Sequence, residues 1–414
     1  MLTRLKSELS FMRGNLLTLI VSWIFMQFAF SMVFPFESPY FLALGAPPII
    51  IGFMGSIGAA MLSLVRIPGA YLADKFGRRQ LIITMTFAIA FSYLFFIFAP
   101  DWRFVLIGMV ISNLSLIYQP ALQAILADSI PPEKRGMGYA AVQVVPSIPT
   151  VIAPTIAGFL VADIKNPEVL ISGMRIVYTI VFFSLIAAAV IRLFFIKETL
   201  SDAQRIRLGE LKDAFRGSIG AIAEAWRSMS TSLKYLTVAF LISAFEEPMF
   251  RMFTSLYVAE IIKISSFEWG FINTVYIAIT LILGFPLGKV VDMIPRKRAI
   301  LVAYLIFAPS SIIFILARDF SQLLFANIMF AVGGCLIMPA YNALQADMIP
   351  REKRGRIMGT IGTLNILGTI PASILGGILY TSDPTHPFIF AIALSAIVSL
   401  IVILAVKEPK EREV

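Results

Sequence analysis

The sequence predicts an all-α membrane protein with twelve transmembrane helices, arranged as two pseudo-symmetric six-helix bundles. Three observations support this fold class. Hydrophobic residues make up 58% of the 414 residues, and charged residues only 14%. Apolar segments of about 20 residues, the length that crosses the hydrocarbon core of a bilayer, recur along the chain. A long motif in the first half of the sequence also returns in the second half.

The apolar segments predict helices, because membrane strands would be about ten residues long and would alternate in polarity. The charged start of the chain is followed by no small-residue cleavage site, so we expect no signal peptide to be removed. The predicted spans are 15–37, 48–72, 80–99, 104–127, 137–162, 172–195, 235–261, 269–291, 299–317, 321–346, 356–380 and 386–406.

The net charge of +9 follows the predicted topology. About 25 of the Lys and Arg residues lie in the termini and alternate connections, whereas the opposite connections hold five. This asymmetry predicts that both termini are cytoplasmic and that the protein is a multi-pass protein of the plasma membrane. It also explains the basic charge without nucleic acid.

The chain contains an internal repeat. The segment "PALQAILADSIPPEKRG" from Pro120 returns as "PAYNALQADMIPREKRG" from Pro339, with eleven identities at the same spacing. An upstream pair agrees, since "DKFGRRQ" from Asp74 is echoed by "DMIPRKR" from Asp292. An even number of spans separates the copies, so the two halves are predicted to have the same orientation.

The predicted domains are an N-terminal bundle at 1–197, a cytoplasmic linker at 198–233 and a C-terminal bundle at 234–414. Apolar residues in the linker recur at steps of three and four, which predicts a helix lying on the membrane surface. A solvated tether is the alternative. The apolar residues are Leu208, Leu211, Phe215, Ile219, Ile222 and Trp226.

The residues of metal and nucleophilic chemistry are almost absent from the sequence. The chain has one cysteine, Cys335, inside a predicted span and one histidine, His386, in an outer connection. It has no Gly-rich phosphate loop. These features predict no enzymatic activity, no metal and no cofactor.

The two six-helix halves, the long middle loop and the segment "GAYLADKFGRR" between the second and third spans resemble the major facilitator superfamily. The resemblance covers essentially the whole chain. It implies a latch in which Asp74 caps the eleventh helix near Gly355 and Asp292 caps the fifth near Gly136, while basic residues pair with acids in their own half. Cations with solvated partners are the alternative. The residues assigned to the latch are Asp74, Gly77, Arg78, Arg79, Asp128, Glu133, Arg135, Asp292, Arg296, Lys297, Asp347, Glu352 and Arg354.

The seventh predicted span carries three charged residues near its middle. Glu247 precedes Arg251 by one helical turn, the favourable order for an ion pair, while Glu246 points about 100 degrees away. The pair can be structural, it can form a substrate or proton site, or the span can be shorter and leave it near a wet surface. The site is favoured, because ionisable groups within membranes normally face a cavity. Glu247 is then expected to stay ionised and Glu246 to carry a proton.

By resemblance, the first, fourth, seventh and tenth helices line a central cavity. Polar residues on the other three helices could complete its lining, although each could also be a helix-packing contact. These candidates are Glu37 and Gln27, then Asn113, Tyr118, Gln119 and Gln123, and finally Asn327, Tyr341 and Asn342.

The resemblance implies a secondary active transporter of a small molecule that works by alternating access. Proton-coupled efflux of an apolar or amphipathic compound is expected, and proton-coupled uptake of a polar solute is the alternative. A transport-dead membrane sensor is a further alternative. The expected partners are the substrate, protons and the lipid bilayer, with no nucleic acid, and the protein is expected to be a monomer.

Overall fold

The computed structural model describes residues 12–200 and 222–409, except for the side chains of residues 66, 67, 70, 71 and 73–76. Within this part of the chain, every regular element is a helix, which confirms the predicted fold class. The twelve long helices, numbered α1 to α12, are Gly14–Val33, Pro48–Phe76, Arg78–Ile97, Trp102–Ser129, Pro132–Val161, Pro167–Phe195, Thr231–Tyr257, Ser266–Met293, Arg296–Leu316, Phe320–Met348, Arg354–Ser382 and His386–Ala405.

Among the described residues, eleven of these helices are long and apolar enough to cross a membrane. The other one, α7, is 27 residues long. It contains the three charged residues Glu246, Glu247 and Arg251, and it packs against α11 and α12. Helix α7 is therefore a full member of the bundle, and its charges lie inside the membrane domain.

Both halves begin and end on the same side of the molecule, which we call the terminal side; the opposite side is the far side. Asn15 at the start of α1 exchanges hydrogen bonds of 2.9 and 2.7 Å with the backbone of Lys197 after α6. Ser232 at the start of α7 exchanges bonds of 3.1 and 2.7 Å with the backbone of Lys407 after α12. The two halves thus close their bundles in the same way.

Polar side chains fix the far-side starts of four helices. Each accepts a hydrogen bond from a free backbone N–H of the first turn, as N-cap residues do. Ser265 and Glu268 form a reciprocal capping box at α8. The other three caps are Asp101 for α4, Asn166 for α6 and Asp319 for α10.

The two halves contact each other on the far side. Small residues let the backbones of the two halves approach closely there. A Cβ placed on Gly377 of α11 would lie 2.8 Å from the Cα of Ile49 on α2. A Cβ placed on Gly270 of α8 would lie 3.2 Å from the Cα of Thr155 on α5. Within the described ranges, three hydrogen bonds join the halves, all near this side. They are Ser56 Oγ to the Ile370 carbonyl at 2.5 Å, Trp269 Nε1 to the Pro35 carbonyl at 2.8 Å, and the Thr155 and Thr274 hydroxyls at 2.7 Å.

The two halves diverge on the terminal side. On α11 the contacting stripe continues from Ile370 by about two turns to Gly362, and then at steps of three and four to Gly359 and Gly355. A Cβ added to any of these three glycines would meet nothing within 4 Å. The stripe of α8 likewise continues to two glycines, Gly284 and Gly288, with open space around them. This conformation is therefore closed on the far side and open between the halves on the terminal side.

The end of the linker packs on the C-terminal half. Residues 222–228 are helical; Ala225 is buried, and Trp226 packs against the core of this half. Glu224 accepts a 2.6 Å bond from Arg356, and this hydrogen bond lowers the pKa of the Glu224 carboxyl. Of the predicted apolar stripe, Leu208, Leu211, Phe215 and Ile219 lie outside the described residues, so the interfacial helix stays a prediction.

Candidate functional site

A cavity of about 650 Å³ lies among the helices of the C-terminal half. Of the described residues of the N-terminal half, Phe34 and Pro35, just after α1, reach it. Aromatic rings form much of its wall, and the exposed surface of the lining is mainly apolar with polar side chains interspersed, which is typical of a small-molecule site. The rings of the C-terminal half belong to Phe240, Phe250, Trp269, Tyr276, Tyr304, Phe307, Phe330 and Tyr341.

The predicted ion pair on α7 forms part of this wall. Glu247 Oε1 lies 2.9 Å from Arg251 Nε, one helical turn away, and both side chains line the cavity. The Glu247 side chain is 59% exposed and that of Arg251 is 40% exposed. An ion pair that is open to this degree contributes little to stability, about 0–1 kcal/mol. Its charges are accessible to a ligand in the cavity.

Glu246 differs from its neighbour Glu247. Its Oε1 atom is buried and has no hydrogen-bond partner among the described residues. Ser395 of α12 lies beside the same carboxyl. Tyr304 of α9 also lines this part of the cavity, and its hydroxyl forms a 2.5 Å hydrogen bond with Ser243 rather than with Glu246. Glu246 is thus a carboxyl group at the cavity wall for which the described residues provide no cationic partner.

The far-side end of the cavity is closed by a contact between the halves. The indole Nε1 of Trp269 donates a 2.8 Å hydrogen bond to the Pro35 carbonyl. Trp269 is buried, and Phe34 and Pro35 lie in the cavity wall beside it. Because this bond joins α8 to the chain after α1, the halves cannot separate on the far side without breaking it.

The structure brings five of the predicted site residues together at the cavity: Glu246, Glu247, Arg251, Asn327 and Tyr341. The others lie outside it. Tyr118 is buried against another side chain, Arg192, in the N-terminal half. Asn113 donates to its own helix at Met109. The remaining predicted residues outside the cavity are Glu37, Gln27, Gln119, Gln123 and Asn342.

A polar network joins the basic loop of the N-terminal half to the end of its last helix. Arg78 Nη1 lies 2.5 Å from Asp128 on α4. Arg79 donates to the carbonyls of Ile196 and Leu193 at 2.8 and 2.7 Å, as cations do at helix C-termini. The Arg79 backbone N–H donates to Glu198 at 2.9 Å.

Glu198 lies outside the membrane-spanning helices, just after α6. Partial burial raises the pKa of its carboxyl, but backbone N–H groups that include those of Arg79, Leu200 and Thr199 outweigh burial and lower it. The negative charge also lies at the N-terminus of α3, where the helix dipole favours an anion.

The C-terminal half repeats this network. Arg296 of α9 lies 3.1 Å from Asp292 and 3.9 Å from Asp347. Lys297 donates to the Ile403 and Val406 carbonyls at 2.8 and 2.9 Å. The backbone N–H groups of Arg296 and Lys297 donate to the Glu408 carboxylate at 2.8 and 3.3 Å, as that of Arg79 does to Glu198.

The prediction did not include Glu198 and Glu408. Their signal in the sequence is a second short repeat, Ile196-Lys197-Glu198 and Val406-Lys407-Glu408, at the end of each half. Three residues of this type are too few to be distinguished from chance without the structure.

The predicted contacts between the halves at the latch are not formed in this conformation, as far as it is described. The Asp292 side chain is 72% exposed and pairs within its own half. Gly136 at the start of α5 and Gly355 at the start of α11 are both exposed. The side chain of Asp74 lies outside the described part. Of the remaining latch residues, Glu133, Arg135 and Glu352 are exposed, and Arg354 donates to the Ala346 carbonyl.

Comparison with known proteins matches both halves of the chain. The sequence profile of the Major Facilitator Superfamily matches residues 19–246 and 236–414. The multi-drug resistance efflux pump PmrA of Streptococcus pneumoniae is 23% identical over 405 residues, which cover 91% of this chain and 94% of the pump. A Na(+), Li(+), K(+)/H(+) antiporter of Planococcus maritimus is 30% identical over 197 residues, which cover 44% of this chain and 42% of the antiporter.

A solved structure shows the same fold. It is a bacterial homologue of the human lysosomal transporter Spinster, in an inward-facing and unoccupied conformation. The likeness has a TM-score of 0.74 at 14% identity, and it covers 95% of this chain and 96% of that one.

Proposed function

This chain belongs to the major facilitator superfamily, and we propose that it exports an apolar or amphipathic small molecule in exchange for protons. The two halves rock around the cavity, which opens alternately to the two sides of the membrane. The terminal side is the cytoplasmic side of the plasma membrane, because the positively charged connections lie there. The conformation described above is then open to the cytoplasm, where an exporter binds its substrate.

The contrast between Glu246 and Glu247 carries the proposal. Glu247 has a cationic partner and faces the open cavity, whereas a buried oxygen of Glu246 has no partner in the described part of the chain. An ionised carboxylate is costly in such surroundings, and a bound proton removes its charge. Glu246 therefore carries the coupling proton, and Glu247 with Arg251 forms the polar end of the substrate site.

The cavity wall favours an amphipathic aromatic substrate. The rings of Phe250 and Phe330, both in the wall, have their centroids 5.4 Å apart, and the buried ring of Phe388 packs behind Phe250 at the same distance. Rings of this kind bind an apolar body by stacking and edge contacts. The polar end of the same compound can reach Glu247 and Arg251. The efflux relative that matches almost the whole chain supports transport of this class.

The basic loops control the change between the two conformations. When the terminal side closes, Asp74 approaches the start of α11 and Asp292 approaches the start of α5. Asp74→Asn should therefore shift the protein away from the outward-open state and slow turnover, while the protein stays folded and inserted. Labelling of single cysteines at the two cavity mouths measures the shift, and unchanged accessibility with unchanged transport would refute the latch.

Transport in proteoliposomes tests the coupling. Glu246→Gln should abolish efflux of an amphipathic dye, such as ethidium, under an imposed pH gradient, while dye counterflow persists because exchange needs no proton. Glu247→Gln should instead leave the yield of folded protein close to that of the parent protein, because a pair this open contributes only about 0–1 kcal/mol. It should weaken dye binding, because it removes the negative charge at the polar end of the site. Glu260→Gln is the matched control, since Glu260 follows α7 and bonds Tyr380 at 2.8 Å, away from the cavity lining. Full gradient-driven efflux by Glu246→Gln would show that Glu246 is not the coupling residue.

A further inference from the structure

A fully buried arginine lies inside the N-terminal half, outside the cavity and the basic loops. The Arg192 side chain of α6 is 0% exposed. Its Nε donates to Ser22 at 3.0 Å, and its Nη1 donates to Thr86 at 2.8 Å and to Tyr118 at 3.5 Å. The Arg192 Cζ atom lies 5.6 Å from the centroid of the Tyr118 ring. The other guanidinium nitrogen, Nη2, is buried without a partner in the described part of the chain.

Among the residues that the structure describes, no carboxylate pairs with this cation. The four helices that surround it, α1, α3, α4 and α6, contain only two acidic residues, Asp128 and Glu168. Asp128 is paired with Arg78, and Glu168 is at the opposite end of α6. Glu198, which follows α6, caps the first turn of α3. A buried charge in a membrane domain normally has an opposite charge near it.

The neighbouring hydroxyls accept hydrogen bonds from Arg192 but bring no negative charge. Ser22 donates its own proton to the Leu19 carbonyl at 3.0 Å, and Thr86 donates its proton to the Ile82 carbonyl at 2.6 Å. The Tyr118 hydroxyl proton, in contrast, has no acceptor among the described residues. Two donors therefore remain near each other: Nη2 of Arg192 and the hydroxyl of Tyr118.

The fold itself does not require a cation at this position. Arg79 bonds Leu193 and Ile196 in one half as Lys297 bonds Ile403 and Val406 in the other, so Arg192 corresponds to Val402. Val402 is also 0% exposed. By the repeat around Pro120 and Pro339, Tyr118 corresponds to Ile337. The C-terminal half thus has apolar residues where the N-terminal half has the cation and its hydroxyl partner.

We propose that Arg192 and Tyr118 bind a small monatomic anion, of which chloride is the type, inside the N-terminal half. The anion accepts hydrogen bonds from Nη2 and from the Tyr118 hydroxyl, and it neutralises the guanidinium charge. The burial of Arg192, Thr86, Ser22 and Tyr118, at 3% exposure or less, excludes larger anions such as phosphate or a lipid headgroup. This site is separate from the transport cavity.

The anion would also stabilise an irregular part of α4. Leu116–Tyr118 is a 3₁₀ segment within this helix, whereas α10 is a continuous α-helix over the corresponding residues. Because Tyr118 ends the segment, an anion that holds its hydroxyl ties α4 to α6. The site is therefore expected to stabilise the N-terminal bundle.

Thermal unfolding of the purified full-length protein tests the proposal. At constant ionic strength, replacing gluconate by 150 mM chloride or bromide should raise the Tm of the parent protein by ~2–4 °C. Arg192→Met should abolish this response. Arg175→Met should keep it, because Arg175 is on the same helix but bonds the Ala99 carbonyl near the far side.

Tyr118→Phe provides a second variant that keeps the guanidinium. Without the hydroxyl donor, the chloride concentration needed for the same Tm increase should rise by about tenfold, the usual effect of losing one hydrogen bond to a charged group. No halide response in the parent protein would overturn the proposal. An equal response in Arg192→Met, or an unchanged concentration for the same Tm increase in Tyr118→Phe, would overturn it as well.

Discussion

In the N-terminal half a fully buried arginine, Arg192, lies among four helices and donates to three hydroxyls. In the C-terminal half a half-buried glutamate, Glu246, lies at the wall of a cavity, and one of its oxygens is buried without a partner among the described residues. The backbones of the two halves correspond, yet neither charge has a counterpart in the other half. The repeated backbone therefore forms the two halves that move against each other. The residues with specific chemical roles, such as Arg192 and Glu246, lie where the two copies differ.

The basic loops show the opposite behaviour. Each half pairs its first basic residue with an acid of the long repeat, uses the second to cap its last helix, and caps its third helix with a glutamate. A feature that is retained in both copies serves a movement that both halves share. The following predictions test this distinction between the repeated and the unrepeated parts.

The largest expected effect comes from placing the charge of one half into the other. Val402→Arg buries a guanidinium where the residue corresponding to Tyr118 is the apolar Ile337, and an uncompensated buried charge costs about 3–5 kcal/mol. We expect little folded protein in size-exclusion chromatography and a strongly lowered Tm. Val402→Leu, which keeps the site apolar, is the control. Normal folding of Val402→Arg would show that the two halves tolerate buried cations equally.

The two ends of one stripe on α8 should affect the conformation in opposite directions. Gly270→Val places atoms against the backbone of α5 on the far side, so it should favour the outward-open state. Gly284→Val meets open space in the present conformation but should obstruct closure of the terminal side, so it should favour the inward-open state. Accessibility of cysteines at the two mouths measures both shifts. Shifts in the same direction would contradict rocking of the halves about the cavity.

The glutamate caps should show smaller, matched effects. Glu198→Gln and Glu408→Gln each keep an acceptor but remove the charge at a helix N-terminus, so each should cost about 0.3–1 kcal/mol and lower the Tm slightly at pH 7. Unequal losses would show that the two networks are not equivalent.

The effect of Glu198 should also depend on pH. Hydrogen bonds lower the pKa of this carboxyl in the folded protein. Its contribution to stability is therefore complete above the unfolded-state pKa of about 4.3 and is lost as the pH falls through the lower, folded-state pKa. The Tm difference between the parent protein and Glu198→Gln should shrink below about pH 4. A difference that does not change with pH would mean that the charge of Glu198 is not what stabilises the cap.

The fold could be predicted from the sequence because span length and charge asymmetry are set by the membrane, and because the repeat around Pro120 and Pro339 is long. Even α7 could be placed, although its charges make it less apolar. The angle between the halves could not be predicted, since it depends on close backbone contacts such as those of Gly270 and Gly377, and the sequence does not show which glycines of a helix face the other half.

The candidate site was only partly predictable. Three charged residues close together in an apolar span identify Glu246, Glu247 and Arg251 as site candidates without a structure. The polar residues of α4 were expected in the lining, but the cavity lies within the C-terminal half, and Tyr118 instead contacts Arg192. Arg192 could not be singled out, because an arginine near the end of a span normally extends to the membrane surface.

The central claim is that Glu246, and not Glu247, releases its proton when the substrate binds. Proton release on ligand binding tests it most directly: ethidium is added to purified protein in weakly buffered solution, and the pH change is recorded beside the amount of dye bound. The parent protein should release protons on binding, whereas Glu246→Gln should bind the dye and release none. Proton release by Glu246→Gln equal to that of the parent protein would contradict the claim.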